Sequence, residues 1–208
     1  MDSTILLFLS QDGITSGAIY ALLGLALVLV FAVTRVILIP QGEFVTFGAL
    51  TFAVLATGKV PGTTLLALGM GVVAFAFDMI AGRSTMNGRR FVHSLALNIL
   101  LPLAIWGLAT LLAGRQNNVI VNFLLSIVIV APIGLYLYRI AYQPIAHASV
   151  LVLLIASVGV HLALQGLGLV FFGPEGLRAP AIATAAFTIG PLRFTGQSIA
   201  IYAITILL

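Results

Sequence analysis

The sequence predicts an all-α, polytopic transmembrane helix bundle with about six to seven membrane segments, and three observations carry that expectation. Charge is scarce: among 208 residues there are 9 Lys and Arg and 5 Asp and Glu, against 62% hydrophobic residues. A soluble domain of this size must coat itself with charge, and this composition does not supply the coat. The charges also cluster, leaving long apolar runs such as Gly13 to Thr34, which holds no Asp, Glu, Lys or Arg. At the helical rise that run extends about 33 Å, close to the roughly 30 Å of a bilayer's hydrocarbon core. Finally, Ala21 to Val33 reads ALLGLALVLVFAV, apolar on every face. A barrel strand would alternate apolar and polar residues, so helices are the spanning element.

The elements follow in order. The first span is predicted over about Gly13 to Val36, with Gly17, Ala21 and Gly24 on one small-residue face suited to close helix packing or simply to membrane composition. Pro40, Gln41, Gly42 and Glu43 interrupt it. Phe44 to Thr57 is a second, short segment, either a tilted short helix or a re-entrant piece. Lys59-Val60-Pro61-Gly62 makes a turn before a third span, Thr63 to Ile80. Arg83 to Arg90 is the most polar stretch. Two further spans cover Phe91 to Ala113 and Val119 to Tyr138, divided by Gly114-Arg115-Gln116-Asn117-Asn118. Arg139 to His147 reads as a loop, Ser149 to Phe172 as a span, and Gly173 to Arg193 as a loop punctuated by Pro and Gly. A last span begins near Thr195 and stops at Leu208 without a flanking charge, which reads as an incomplete span and a C-terminally truncated chain.

Lys and Arg in short loops set orientation. With the short segment crossing, one side holds Arg35, Arg83, Arg89, Arg90 and Arg139, and the other holds Lys59, Arg115, Arg178 and Arg193. The Arg83–Arg90 cluster tips the balance: it is expected in the cytoplasm, with the N-terminus outside. A re-entrant second segment would invert everything after it. The first twelve residues carry Asp2 and Asp12 but no basic residue, unlike a cleavable signal peptide.

Polar residues at membrane depth are the candidates for function. Glu43 lies behind Pro40 and Gly42, where a helix breaks, and broken helices lend free backbone groups and half-helix dipoles to transporter sites. On that reading Gln41 and Glu43 flank a translocation path; the alternative is a plain cytoplasmic turn, with Glu43 solvated beside Arg35. Asp78 is either an ion or proton site or an interfacial residue paired with Arg83. His161 and Gln165, one turn apart in a span, contact a substrate or form an interhelical hydrogen bond. Asn98 reads as packing glue and Trp106 as an ordinary apolar residue. No HExxH, GxSxG or Walker lysine motif occurs. There is no cysteine, and His93, His147 and His161 lie in separate segments, so neither a metal nor another cofactor is expected. The thinly spread net charge of +4 forms no basic stripe for nucleic acid. The chain reads as a transport subunit rather than an enzyme.

Two stretches together carry a family resemblance. Gly13 to Leu55, with Gly13, Gly17, Tyr20, Ala21 and Leu22 followed by Gly42-Glu43, resembles the opening of the branched-chain amino acid permeases of ABC importers, the LivH-type subunit. Arg139-Ile140-Ala141-Tyr142-Gln143-Pro144, leading into LLIASVGVHLALQ, is similar to a second block of that family through Arg139, Tyr142 and Pro144. The resemblance covers about half the chain. Where the family has Asn-Phe-Ala-His before Gly-Glu, this chain has Leu38-Ile39-Pro40-Gln41, and residues 79–130 look like an insertion with two extra spans. The resemblance implies an inner-membrane permease working by alternating access. Its partners would be a second homologous permease subunit, cytoplasmic ATP-binding subunits and a periplasmic substrate-binding protein. The chain also stops before the cytoplasmic loop that engages the ATPase. Rival expectations are the same fold carrying urea, amides or sugars, an ion or proton channel using Asp78, Glu43 and His161, and a nonfunctional fragment.

Overall fold

Apolar runs with no water to bind must close their backbone hydrogen bonds internally, and the chain is accordingly all-α apart from one short hairpin among the described residues. The computed structural model describes residues 3–81, 88–115, 118–181, 185–190 and 192–208. The chain divides into two compact units, one of residues 39–180 and one joining residues 1–38 to 181–208.

In the larger unit, α2 (Gln41–Ala56) and α3 (Thr63–Ala81) are followed by α4 (Gly88–Leu95), which runs through a π-helical turn at Ala96–Leu100 into α5 (Leu101–Leu112). Then come α6 (Val119–Leu137), a second π turn at Tyr138–Tyr142, a 3-10 turn at Gln143–Ile145, and α7 (Val150–Phe172). Pro40 opens α2, and Glu43 in its first turn suits the positive end of the helix dipole. Asn118 caps α6, its side chain accepting from the Ile120 amide at 3.0 Å. The turns after α2 and α5 place Gly58 and Gly114 at φ +76° and +79°, and α7 ends at Gly173 with φ +77°.

Helix α2 packs against α6 and α7, while α3 packs against α5, α6 and the first π turn. Leu55, Ile105, Ala109, Leu125 and Ile129 form the shared core, so the segment 79–130 is woven into the same core as α2. Buried hydroxyls join α2 to α3 through Thr51 and Thr63 at 2.8 Å. Phe52 meets Phe123 edge-on at 6.3 Å, and Phe47 meets Phe172 at 6.0 Å.

The distribution of polarity is inverted relative to a soluble protein. Thr51, Thr63, Thr64, Ser94, Asn98, Asn122, Ser126 and Ser157 are buried, while Leu108, Leu111, Ile120, Leu124, Leu151, Ile155 and Leu162 are exposed. Water would penalise that much exposed apolar surface, whereas lipid welcomes it and drives polar side chains inward. Among the described residues, five helical stretches have the length and composition to cross a bilayer: Ile5–Thr34, Thr63–Ile80, Gly88–Leu112, Val119–Ile145 and Val150–Phe172. The protein therefore has transmembrane-helix character, and α2, with 16 residues, is short as expected.

In the smaller unit, α1 (Ser3–Thr34) begins about ten residues earlier than predicted, because Asp12 is exposed on an otherwise continuous helix. The stretch read as a loop contains an antiparallel hairpin, β1 (Ala186–Ile189) with β2 (Leu192–Thr195), pairing Phe187 with Phe194. Thr195 then caps α8 (Gly196–Leu207), accepting from the Ser198 amide at 3.2 Å. Tyr202 on α8 and Thr15 on α1 share a hydrogen bond of 2.5 Å between their hydroxyls.

Arg35, at the end of α1, has φ +56°. A Cβ in that left-handed region costs on the order of 1 kcal/mol, and Gly is the usual occupant of a helix C-terminus there. Arg35→Gly is expected to stabilise the protein by up to about 1 kcal/mol, read as a higher midpoint in SDS-driven unfolding from mixed micelles. An unchanged or lower midpoint would show that the Arg35 side chain contributes more than its backbone strain.

Candidate functional site in the helix bundle

Two polar constellations form in the larger unit. The first joins the break before α2 to the middle of α7. Helix α2 starts so soon after Pro40 that Gln41 and Glu43 lie in its first turn, and the Glu43 amide donates to the Pro40 carbonyl at 3.0 Å. The Glu43 carboxylate is turned inward, with its side chain only 14% exposed, and its Oε1 lies 3.2 Å from Nδ1 of His161. That separation is within ion-pair range but lacks the alignment of a hydrogen bond. The Oε1 atom of Gln41 is likewise shielded from solvent. Gly42, between the two polar residues, is exposed with open space around it.

Sequence reasoning thus singled out both members of this pair, and the structure brings them together. Glu43 is not solvated, as the plain-turn alternative required. Gln165 does not join them: it follows His161 by one turn on α7 but is exposed, with no polar contact among the described residues. In the motif positions of the smaller unit, Gly13 and Gly17 have open space around them and Tyr20 is exposed on α1.

The second constellation ties α3 to both π turns. Oδ2 of Asp78 accepts from the Ser94 hydroxyl at 2.6 Å and from Nδ2 of Asn98 at 2.9 Å. Asn98, fully buried, also donates to Ser94 at 3.0 Å and accepts from Nη1 of Arg139 at 2.8 Å. Arg139 lies 3.7 Å from Asp78. The expected partner of Asp78, Arg83, lies outside the described residues; the cation that approaches Asp78 is Arg139.

The same contacts correct the reading of Arg139 to His147 as a loop. With its guanidinium drawn into the bundle toward Asn98, Arg139 does not end the helix. The chain stays helical through Tyr142 and then turns through Gln143–Ile145, with Pro144 exposed. Tyr142 is buried, sharing a hydrogen bond of 2.9 Å with Ser157 of α7, and Tyr136 donates to the Leu97 carbonyl in the first π turn at 2.8 Å. A π turn displaces the regular backbone ladder and leaves carbonyls for such partners. Asn98 is indeed packing glue, but it is also the centre of a charged network, which its isolated position in sequence did not signal. Trp106 is partly exposed on α5 among other apolar side chains, as an ordinary lipid-facing residue would be.

The two constellations differ chemically. The second is closed on itself, each charge neutralised and each polar group of Asn98 engaged, as suits a structural lock. The first presents a carboxylate and an imidazole in contact without a hydrogen bond between them, as suits groups that exchange partners. No group of three or more His, Cys, Asp or Glu among the described residues is placed to hold a metal. What fold and site together define is a membrane-embedded helix bundle with an internal carboxylate–imidazole pair. No family model matches the chain, nor does any curated protein or solved structure.

Proposed function

We propose that this chain is the membrane-spanning permease subunit of an ABC importer, moving branched-chain or related amino acids across a bacterial inner membrane. The observation that carries the reading is the inward-facing Glu43–His161 pair, set between a short helix and a membrane-length one. A zwitterionic solute crossing an apolar conduit needs an anion for its ammonium group and a donor for its carboxylate. Glu43 supplies the first. His161, with Gln41 beside Glu43 in sequence, supplies the second. Helix breaks of the kind at Pro40 place such groups at transporter sites. The resemblance through Gly13, Gly17, Tyr20, Gly42, Glu43, Arg139, Tyr142 and Pro144 narrows the class to amino-acid permeases.

On this reading the Arg89–Arg90 end of α4 is cytoplasmic and the N-terminus external. Two homologous permease chains enclose the path. Cytoplasmic ATP-binding subunits drive its alternating access, and a periplasmic binding protein delivers solute.

The test is uptake of labelled leucine by cells producing the chain with its partner subunits. Glu43→Gln keeps the shape and removes the charge, and it is expected to lower uptake at least about tenfold at equal membrane insertion, the loss of one charge-assisted contact. Gln165, exposed and apart from the pair, is expected to tolerate alanine with unchanged uptake, and a loss as large as that of Glu43→Gln would return it to the site. If Glu43→Gln transports normally, the pair is not the solute site. The pair would also suit a proton conduit; conductance in planar bilayers by the chain alone would favour that reading.

A further inference from the structure

We propose that Arg89, Arg90 and His93 form a binding site for the phosphate headgroup of an anionic phospholipid, at the end of the membrane-length helix Gly88–Leu112. Three observations converge there. All three side chains are exposed on α4, and an open cavity of about 710 Å³ is lined by Arg89, Arg90 and His93 together with the apolar Val92 and Ala96. An open cavity lined by cationic and apolar side chains together fits an amphiphile better than a free ion.

Among the described residues, these cations also have no carboxylate partner. The chain's acids are Asp2, Asp12, Glu43, Asp78 and Glu175. Asp78 is engaged by Arg139 and Glu43 by His161, and no carboxylate pairs with Arg89 or Arg90 among the described residues. The neighbouring pair of guanidiniums is therefore open to an anion from outside the chain.

Position supplies that anion. The residues open a helical stretch of 25 residues long and apolar enough to cross the bilayer. Its terminus accordingly lies at headgroup depth, where lipid phosphates are the concentrated anions. Guanidiniums suit them because they donate two parallel hydrogen bonds to phosphate oxygens. His93, one turn beyond Arg89, adds a further donor, and Val92 and Ala96 line the path of an acyl chain.

The site is tested on the whole chain in phosphatidylcholine nanodiscs with or without phosphatidylglycerol, by counting co-purifying lipids with native mass spectrometry. Wild-type protein is expected to retain phosphatidylglycerol over phosphatidylcholine. R89Q/R90Q is expected to lower that retention roughly tenfold. R115Q, which removes a cation at another helix end, is expected to leave it unchanged. Equal retention by wild type and R89Q/R90Q would overturn the proposal, as would an equal loss in R115Q. Inorganic phosphate is added in a parallel arm: binding of phosphate as tight as that of the lipid would identify a free-ion site and also overturn it. Should R89Q/R90Q aggregate, R90Q alone is read by the same criteria.

Discussion

Replacing Gly71 with alanine is expected to destabilise the bundle by about 3 kcal/mol, toward the upper end of the cost of overpacking. Gly71 faces the first π turn, where α3 and the α4–α5 helix approach through their backbones. A Cβ built there would collide with the Asn98 carbonyl oxygen and would stand 3.2 Å from Cγ of Pro102. The obstacle is main chain, not the end of a pliable side chain, so one helix must move. Movement of either would disturb the contacts of Asn98 with Asp78 and Arg139, and the steric cost would be joined by lost hydrogen bonds. Gly69 makes the control. It lies two residues away on α3 with open space around it, and alanine there is expected to be neutral or mildly stabilising. SDS-driven unfolding of both variants in mixed micelles reads the contrast; equal midpoints would show that the helices separate at little cost.

The spans were legible because lipid reduces their signal to length and apolarity, which local sequence carries. The third span was predicted to end at Ile80, and α3 ends at Ala81. Breaks at Pro40 and at Gly114–Asn118 were legible for equally local reasons, a missing amide in the first and a polar run between apolar ones in the second, whereas the cap that Asn118 makes was seen only in the structure. The π turns were not, since α and π geometry differ in hydrogen-bond register rather than in residue type. Nor was the hairpin: its strands are four residues each, and the Gly and Pro between them marked a turn without showing what it joined.

The polar residues show the same division. Depth in an apolar run picked out Glu43, Asp78, Asn98 and His161 one by one. Which of them meet depends on helix packing, and the partners are far apart in sequence. Arg139 shows the limit most clearly: a cation after a hydrophobic run reads as the edge of the membrane, unless something inside the bundle can receive it. Here Asn98 and Asp78 do.

That dependence makes Asn98 the residue whose loss should propagate furthest. It is fully buried and makes three hydrogen bonds, to Asp78, Ser94 and Arg139. Interhelical hydrogen bonds in membranes average about 0.6 kcal/mol each and reach about 1.7; Asn98 makes two of them, to Asp78 and Arg139, which together are worth about 1 to 3 kcal/mol, with the bond to Ser94 lying within its own helix. Asn98→Ala also leaves a void, and a total loss of about 3 kcal/mol is expected. The pairwise origin of that loss is open to a double-mutant cycle with Arg139→Met. If Asn98 holds Arg139 in the bundle, removing it first should shrink the cost of removing Arg139, with a coupling of about 1 kcal/mol. Strict additivity would mean that Arg139 is held by Asp78 alone, and that the π turn is set by backbone packing against Gly71. The two outcomes assign the π turn of the α4–α5 helix to different causes, a buried amide in one case and a missing side chain in the other.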